Sequence, residues 1–463
     1  MTDLLNENTN KALISMSLPI SIGMLSTFLF QVVDTYFVGQ IDAESLAALS
    51  FASTIYFLIV GTFIGLTVGV STIIGTAVGE QDTAKVKKTV LIAVITSLLL
   101  TGCIVLVALS FVDEIFSILG AEQEILPYIK AYLIPLLLGI PLLTTGLVCG
   151  GALRASGNIT KPEVIMGLAG IINLVFDYLL IFGNWGFPEL GIKGAAYATV
   201  ISWGFVISGM LYLIFQDRLL DLSIKSKRSS KQIALEILKL GAPSVFTQVL
   251  GPFTLMFVTF LLAKHSFTAV AAFGIAGRVE TLLMIGILGV STAMTPFIAQ
   301  NSGARNEQRI DEAIVFGGRA STYLGLLVAV LLFVFISSIA GIFSDNQEVI
   351  EHTITYFYIV SLSYIFYGLV LITTSIFNGL QLPINSLKIS LIKFFVMTIP
   401  LTWIGSTWGI RGIFIGFALS NVLAGIYAAN QMQKQLERSN SALAEVGILQ
   451  AHKNDLLKIF RIS

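Results

Sequence analysis

Two carboxylates in this chain interrupt long apolar runs, Asp34 and Asp177, in a sequence of 463 residues that is 55% hydrophobic and only 12% charged. An acid inside a bilayer costs roughly 2.5–3.5 kcal/mol on insertion scales, which marks it as a functional residue. Stepping back along a helix from Asp34 gives Gln31, Thr27 and Met24 on one face; stepping back from Asp177 gives Asn173, Gly170 and Met166. Both acids stand about six residues before the outer end of their runs, so at 1.5 Å per residue both lie roughly 9 Å below one membrane surface. Thr199 and Ser202 enter from that side and reach similar depths. Two acids at one depth in a low-dielectric setting titrate as a coupled unit, and a proton or Na⁺ relieves their repulsion. The expected coupling-ion site is therefore Asp34, Asp177, Asn173, Gln31 and Thr199, with Na⁺ as the only metal that the two acids would take. Met24, Thr27, Met166 and Tyr132 are the expected substrate contacts, and Glu280 is a secondary acidic candidate.

The elements that carry these residues are membrane spans. Twelve apolar segments can be marked, near 11–40, 47–79, 86–111, 123–151, 160–183, 190–216, 235–264, 269–301, 310–341, 348–378, 385–406 and 410–435. Each is long enough to cross a bilayer, since about 20 residues suffice. The fold class is an all-α polytopic membrane protein. Pro19 stands in the first third of span 1, where it removes a backbone donor and supplies a hinge. The polar N-terminus MTDLLNENTN lacks a basic start, so span 1 is expected to be retained rather than cleaved. Connections after the even spans 2, 4, 6, 8 and 10 hold far more Lys and Arg, among them Lys85, Lys87, Lys88, Arg154, Lys161 and Arg309, than the alternate loops, which hold only Lys193, Lys264 and Arg411. The positive-inside rule then places both termini in the cytoplasm, with the protein in the plasma (inner) membrane.

The chain repeats itself at one constant offset: Pro19 falls on Pro243, Gly65 on Gly289, Gly79 on Gly303, Glu124 on Glu348 and Tyr132 on Tyr356. After a small change of register in the fifth connection, Gly191-Ile192-Lys193-Gly194 falls on Gly409-Ile410-Arg411-Gly412. Matches of Pro and Gly at one offset indicate duplication. Six spans return the chain to its starting side, so the two six-helix repeats are related by a pseudo-two-fold axis along the membrane normal. The expected division is 1–216 for the first lobe, 217–234 for a cytoplasmic linker, 235–435 for the second lobe and 436–463 for a polar tail, in which Asn440 to Ser463 could form a surface helix. Such duplication suits a carrier. The acids are not duplicated, because Asp34 meets Val258 and Asp177 meets Leu401.

The remaining candidates have plainer readings. Cys103 and Cys149 fall within spans and form neither a disulfide framework nor a metal cluster. Arg278 and Glu280 are two residues apart and face different directions on a helix. Arg154 and Lys161 read as orienting charges in a loop, and His265 and His352 as solvated. Met256, Phe257, Met284 and Met294 either line an adaptable apolar cavity or pack the core.

The strings SLPISIGML..FLFQVVDTYFVG in span 1, GALRASGNITKP after span 4, and INLVFDYLLIFG followed by GIKGAAYATVIS resemble the MATE multidrug and toxin extrusion transporters, over about residues 11 to 430. The likeness is greatest to the DinF-type branch, whose acids in the N-terminal lobe match Asp34 and Asp177, with Asn173 beside the second. Branches with carboxylates in spans 7 and 10 have no counterpart here. The resemblance implies a non-enzymatic exporter of organic, often cationic and aromatic, drugs or toxins by alternating access. H⁺ or Na⁺ is the implied coupling ion, and the resemblance also implies that span 1 bends at its proline, here Pro19. The resemblance carries the substrate class; the residues themselves show a carrier-like duplication and an acidic site. A lipid-linked oligosaccharide flippase of the same superfamily is the alternative, and an intramembrane aspartyl protease fits less well because neither acid sits in a GxGD-type motif. No organic cofactor, no nucleic-acid partner and a monomer in the lipid bilayer are expected.

Overall fold

The computed structural model describes residues 4–221 and 229–438. The basic middle of the linker, residues 222–228, and the tail from residue 439 with its expected surface helix lie outside the described residues. Twelve helices are long and apolar enough to cross a membrane, and no strand occurs among the described residues. They are α1 Thr9–Gly39, α2 Ala43–Gly79, α3 Thr83–Ser110, α4 Leu126–Ala155, α5 Thr160–Phe182, α6 Ile192–Gln216, α7 Ser230–Ala263, α8 Phe267–Gly303, α9 Glu307–Phe343, α10 Gln347–Gly379, α11 Pro383–Ser406 and α12 Gly409–Arg438. Lipid offers no hydrogen bonds, so each span closes its own backbone bonds as a helix. Several helices overrun the apolar runs because polar caps extend them. Asp42 accepts from the Ser45 backbone N–H at 2.6 Å, which starts α2 a turn before its apolar run.

The duplication is visible in the backbone. Both ends of α8 lie one repeat offset on from the ends of α2, Phe267 matching Ala43 and Gly303 matching Gly79. The turns that follow them also match, with Gln81 and Arg305 left-handed at φ 58 and 56. Asp82 then caps α3 through Lys85 N at 2.9 Å, and Asn306 caps α9 through Arg309 N at 3.3 Å. The repeats differ where α3 stops at Ser110 and a short helix, Val112–Ile118, follows, whereas α9 runs on to Phe343.

Two compact units emerge, and their border cuts through helices. One takes Ile22–Val245; the other takes the described residues up to Ser21 and those from Phe246 onward. The expected lobes ended in the linker instead. In the structure the start of α1 belongs to the second unit and the start of α7 to the first. Glycines explain the exchange. A Cβ on Gly65 of α2 would come within 2.5 Å of the Val245 backbone, and one on Gly69 within 2.7 Å of Gly241 N, so α7 begins backbone-to-backbone on α2. In the second unit Gly289, the repeat mate of Gly65, receives Ser17 and Ser21 of α1 in the same way. The two cuts, before Ile22 and before Phe246, fall at equivalent positions of the two repeats.

Within the first unit α4 packs on α2, α3 and α6, and α6 also on α5; within the second α10 packs on α8, α9 and α12, and α11 on α12. The chain's first described residues are tied down in the second unit by Arg309. Its guanidinium donates to Glu7 O at 2.6 Å, Leu4 O at 3.1 Å and Asn301 Oδ1 at 3.0 Å. Bonds to a charged donor contribute about 1.5–3 kcal/mol each, so Arg309→Ala is expected to speed amide hydrogen exchange at residues 4–9 by about tenfold or more, with exchange in α10 unchanged.

Candidate functional site

The site begins with the way α1 meets α5. A Cβ on Gly170 would fall within the Phe30 ring, so α5 lacks a side chain where α1 presses a large one into it. Further along, Phe37 of α1 meets Phe182 of α5 edge-on, with ring centroids 5.9 Å apart and planes at 88°. Asp34 lies one turn past Phe30, and Asp177 two turns past Gly170. Between the two aromatic contacts the two carboxyl groups come within interaction range of each other. Asp177 is 1% exposed.

Among the described residues no N–H or O–H donor reaches either oxygen of Asp177 or Oδ1 of Asp34. Ionised carboxylates only accept, so they can bond to each other only through a proton on one of them, or through a small cation held between them. The arrangement can therefore hold one positive charge and release it. Tyr132 is 6% exposed and lies within electrostatic range of both acids, and Tyr56 of α2 lies within range of Asp34. The Tyr56 ring stacks on Trp203 of α6 at 6.0 Å and 3°.

Several expected site residues are placed differently. Asn173 donates to Thr199 Oγ1 at 3.4 Å, Thr199 donates to Ala195 O at 3.0 Å, and Ser202 donates to Thr199 O at 2.7 Å. These groups satisfy one another one turn before Asp177, and none donates to the carboxylates. Gln31 is exposed and its side chain has no hydrogen-bond partner among the described residues; Thr27 donates to its own helix at Gly23 O, 3.0 Å. Gln31 and Phe30, three and four back, lie about 60° and about 40° to opposite sides of Asp34 around the helix, and Phe30 is the one turned to α5. Met24 is half-buried, and Met166 packs against the core of the first unit. Tyr132 belongs beside the acids rather than on an open substrate surface. Met284 and Met294 are buried core residues, at 2% and 0% exposure, whereas Met256 is exposed.

Pro19 lies inside α1, which runs unbroken through it, two residues before the helix passes from one unit to the other. Just beyond, Gly23 lies against Glu163, which accepts from Arg154 Nη1 at 2.8 Å. Arg154 is thus a partner in a largely buried ion pair rather than a loop charge, while Lys161 donates to Gln216 at 3.1 Å on the surface.

The second unit holds its own acid. Glu280 Oε2 accepts from Tyr356 at 3.0 Å and Tyr364 at 3.2 Å, and no bond to Arg278 forms. Tyr356 is the repeat mate of Tyr132, and Glu280 is the repeat mate of Tyr56 at the same offset. That match was the signal that could have found Tyr56 from sequence.

The acid contact depends on the fit of Phe30 over Gly170. Gly170→Val is expected to force α1 off α5 at a cost of about 1–3 kcal/mol, read as a lower melting temperature in detergent, and Phe30→Ala in the same chain to recover most of the loss.

Comparison with known proteins accounts for this architecture. The MatE family profile matches residues 19–179 and 243–404, one match in each repeat. A FAD transporter of Shewanella oneidensis is 32% identical over 96% of this chain and 98% of its own length. The probable multidrug resistance protein NorM of Thermotoga maritima is 29% identical over 74% of each chain. Two solved structures of the Vibrio cholerae MATE transporter VcmN, a mutant and the bent form, match with TM-scores of 0.89 and 0.88 at 27% identity, each covering 93% of this chain and 97% or 98% of its own. With twelve spans, two profile matches in register with the internal repeat, and a relative this similar along nearly its whole length, the chain belongs to the MatE family of membrane transporters.

Proposed function

We infer that this protein is a secondary active exporter of organic compounds, coupled to inward movement of H⁺ or Na⁺ by alternating access, and that Asp34 and Asp177 carry the coupling ion. The observation behind this reading is a pair of carboxyl groups within interaction range of each other, with Asp177 buried, Asp34 half-buried, and no described donor on either Asp177 oxygen or on Asp34 Oδ1. One bound cation turns two repelling acceptors into a bridged pair, and its loss leaves them to separate. Asn173 and Thr199 stand one turn away as ligands that a rotation of α5 or α6 would bring in. The range of compounds spans the drugs of the multidrug relatives and the FAD of the Shewanella relative, with Met24, Thr27 and Met166 as candidate contacts. The proposed location is the plasma (inner) membrane, both termini cytoplasmic.

Pro19 is the proposed hinge. It leaves the Ser15 carbonyl without its helical donor next to the point where α1 changes units, so bending there breaks fewer bonds than elsewhere. A bound ion changes how Asp34 holds α5, and α1 can follow.

In proteoliposomes, Asp34→Asn is expected to abolish gradient-driven efflux while leaving the protein folded. Asp177→Asn and Asn173→Ala should impair coupling, whereas polar substitutions at Val258 and Leu401 should act through stability. Wild-type efflux by a folded Asp34→Asn would sink this reading. Pro19→Ala is expected to reduce efflux and the ion-dependent change in a spin-label distance along α1, with Pro243→Ala milder; unchanged distances and full efflux would remove the hinge.

A further inference from the structure

Lys393 of α11 is a cation placed deep in a span without a direct ion pair. It sits in a π-helical turn, Ile392–Thr398, that interrupts the helix, and such turns often mark functional sites. Its Nζ lies 3.8 Å from the centroid of the Tyr367 ring. Glu280 is within electrostatic range of it, yet that carboxylate is bonded by the hydroxyls of Tyr356 and Tyr364 instead. Among the described residues no carboxylate comes within salt-bridge distance of Nζ.

The burial is graded. Tyr356 and Tyr364 are 1% and 0% exposed, while Glu280, Tyr367 and Lys393 are half-buried. A cation within a span is costly in hydrocarbon and belongs in the bundle interior or against an aqueous or ligand-filled space. There Lys393 offers N–H donors that no described residue uses, beside an aromatic face and with a counter-ion near enough to neutralise it when the space is empty. A cationic drug meets like charge at this place. An aromatic anion meets a donor for its phosphate or carboxylate and a ring for its own ring.

We propose that Lys393 and Tyr367 form a binding site in the second unit for the anionic group of aromatic substrates, with Glu280 as the internal counter-ion that the substrate anion displaces. This rests on the exporter reading and names a substrate class for it, organic anions. The coupling ion remains with Asp34 and Asp177.

Equilibrium binding to purified full-length protein, with no gradient present, tests it. FAD and fluorescein serve as aromatic anions and ethidium as an aromatic cation, each followed by its own fluorescence. Lys393→Gln is expected to weaken both anions about 10- to 100-fold, as loss of a charged hydrogen bond does, with ethidium unchanged. Lys393→Arg should keep most anion affinity, and Glu280→Gln should tighten it several-fold by removing the competitor. Anions bound equally by Lys393→Gln and wild type, ethidium weakened as much as the anions, anions weakened by Glu280→Gln, or no anion binding by wild type would each overturn the proposal. Because binding needs no gradient, a failure of ion-driven flux with this pattern intact would count against the exporter reading alone.

Discussion

Two carboxyl groups held within interaction range between α1 and α5, with no described donor on either oxygen of Asp177 or on Oδ1 of Asp34, are the constraint on which the rest of this structure turns. Left ionised and empty, such a pair is unfavourable twice over, through lost hydration and through mutual repulsion. The fold nonetheless holds it in place. Gly170 takes the Phe30 ring on one side, and Phe37 meets Phe182 on the other, so the acids lie between two aromatic contacts of α1 with α5. A group this costly to leave empty is well suited to binding an ion whose arrival changes how two helices prefer to sit.

Duplication supplies the frame, and divergence within it supplies the chemistry. The same turns, caps and close glycine contacts recur at one offset, so both units are built by one set of local rules. On that frame the first unit carries two acids beside Tyr56 and Tyr132. The second carries Glu280 at the position of Tyr56, with Tyr356 at the position of Tyr132 and a lysine added on α11. One site is net acidic, with Asp177 bonded by no described donor, whereas in the other an acid is bonded by two tyrosine hydroxyls and has a lysine nearby. Equivalent places in the two repeats thereby carry different charged and hydrogen-bonding groups.

Much of this was readable from residues alone, because a bilayer leaves few choices. Length and apolarity marked all twelve spans, and Asp34 and Asp177 stood out since an acid in hydrocarbon needs a reason. Their shared depth followed from counting residues. What sequence could not show was which neighbour faced which. Gln31 looked like a partner of Asp34 by helical spacing, but Phe30 is the residue that meets α5, a choice made by the gap at Gly170 on another helix. The exchange of helix halves between units was equally hidden, since nothing in the linker indicates that α1 begins against Gly289 and α7 against Gly65. Lys393 went unread because a single lysine in a span becomes informative only once Tyr367 and Glu280 are placed beside it.

The central claim is that a cation held between two carboxyl groups drives transport. The most direct measurement is accumulation of a fluorescent substrate in proteoliposomes with a pH gradient and a Na⁺ gradient imposed separately, at zero membrane potential. The account predicts that at least one of the two gradients drives substrate against its own concentration and that collapsing it with the matching ionophore stops accumulation. Substrate that only equilibrates, at the same rate under either gradient and under none, would contradict it.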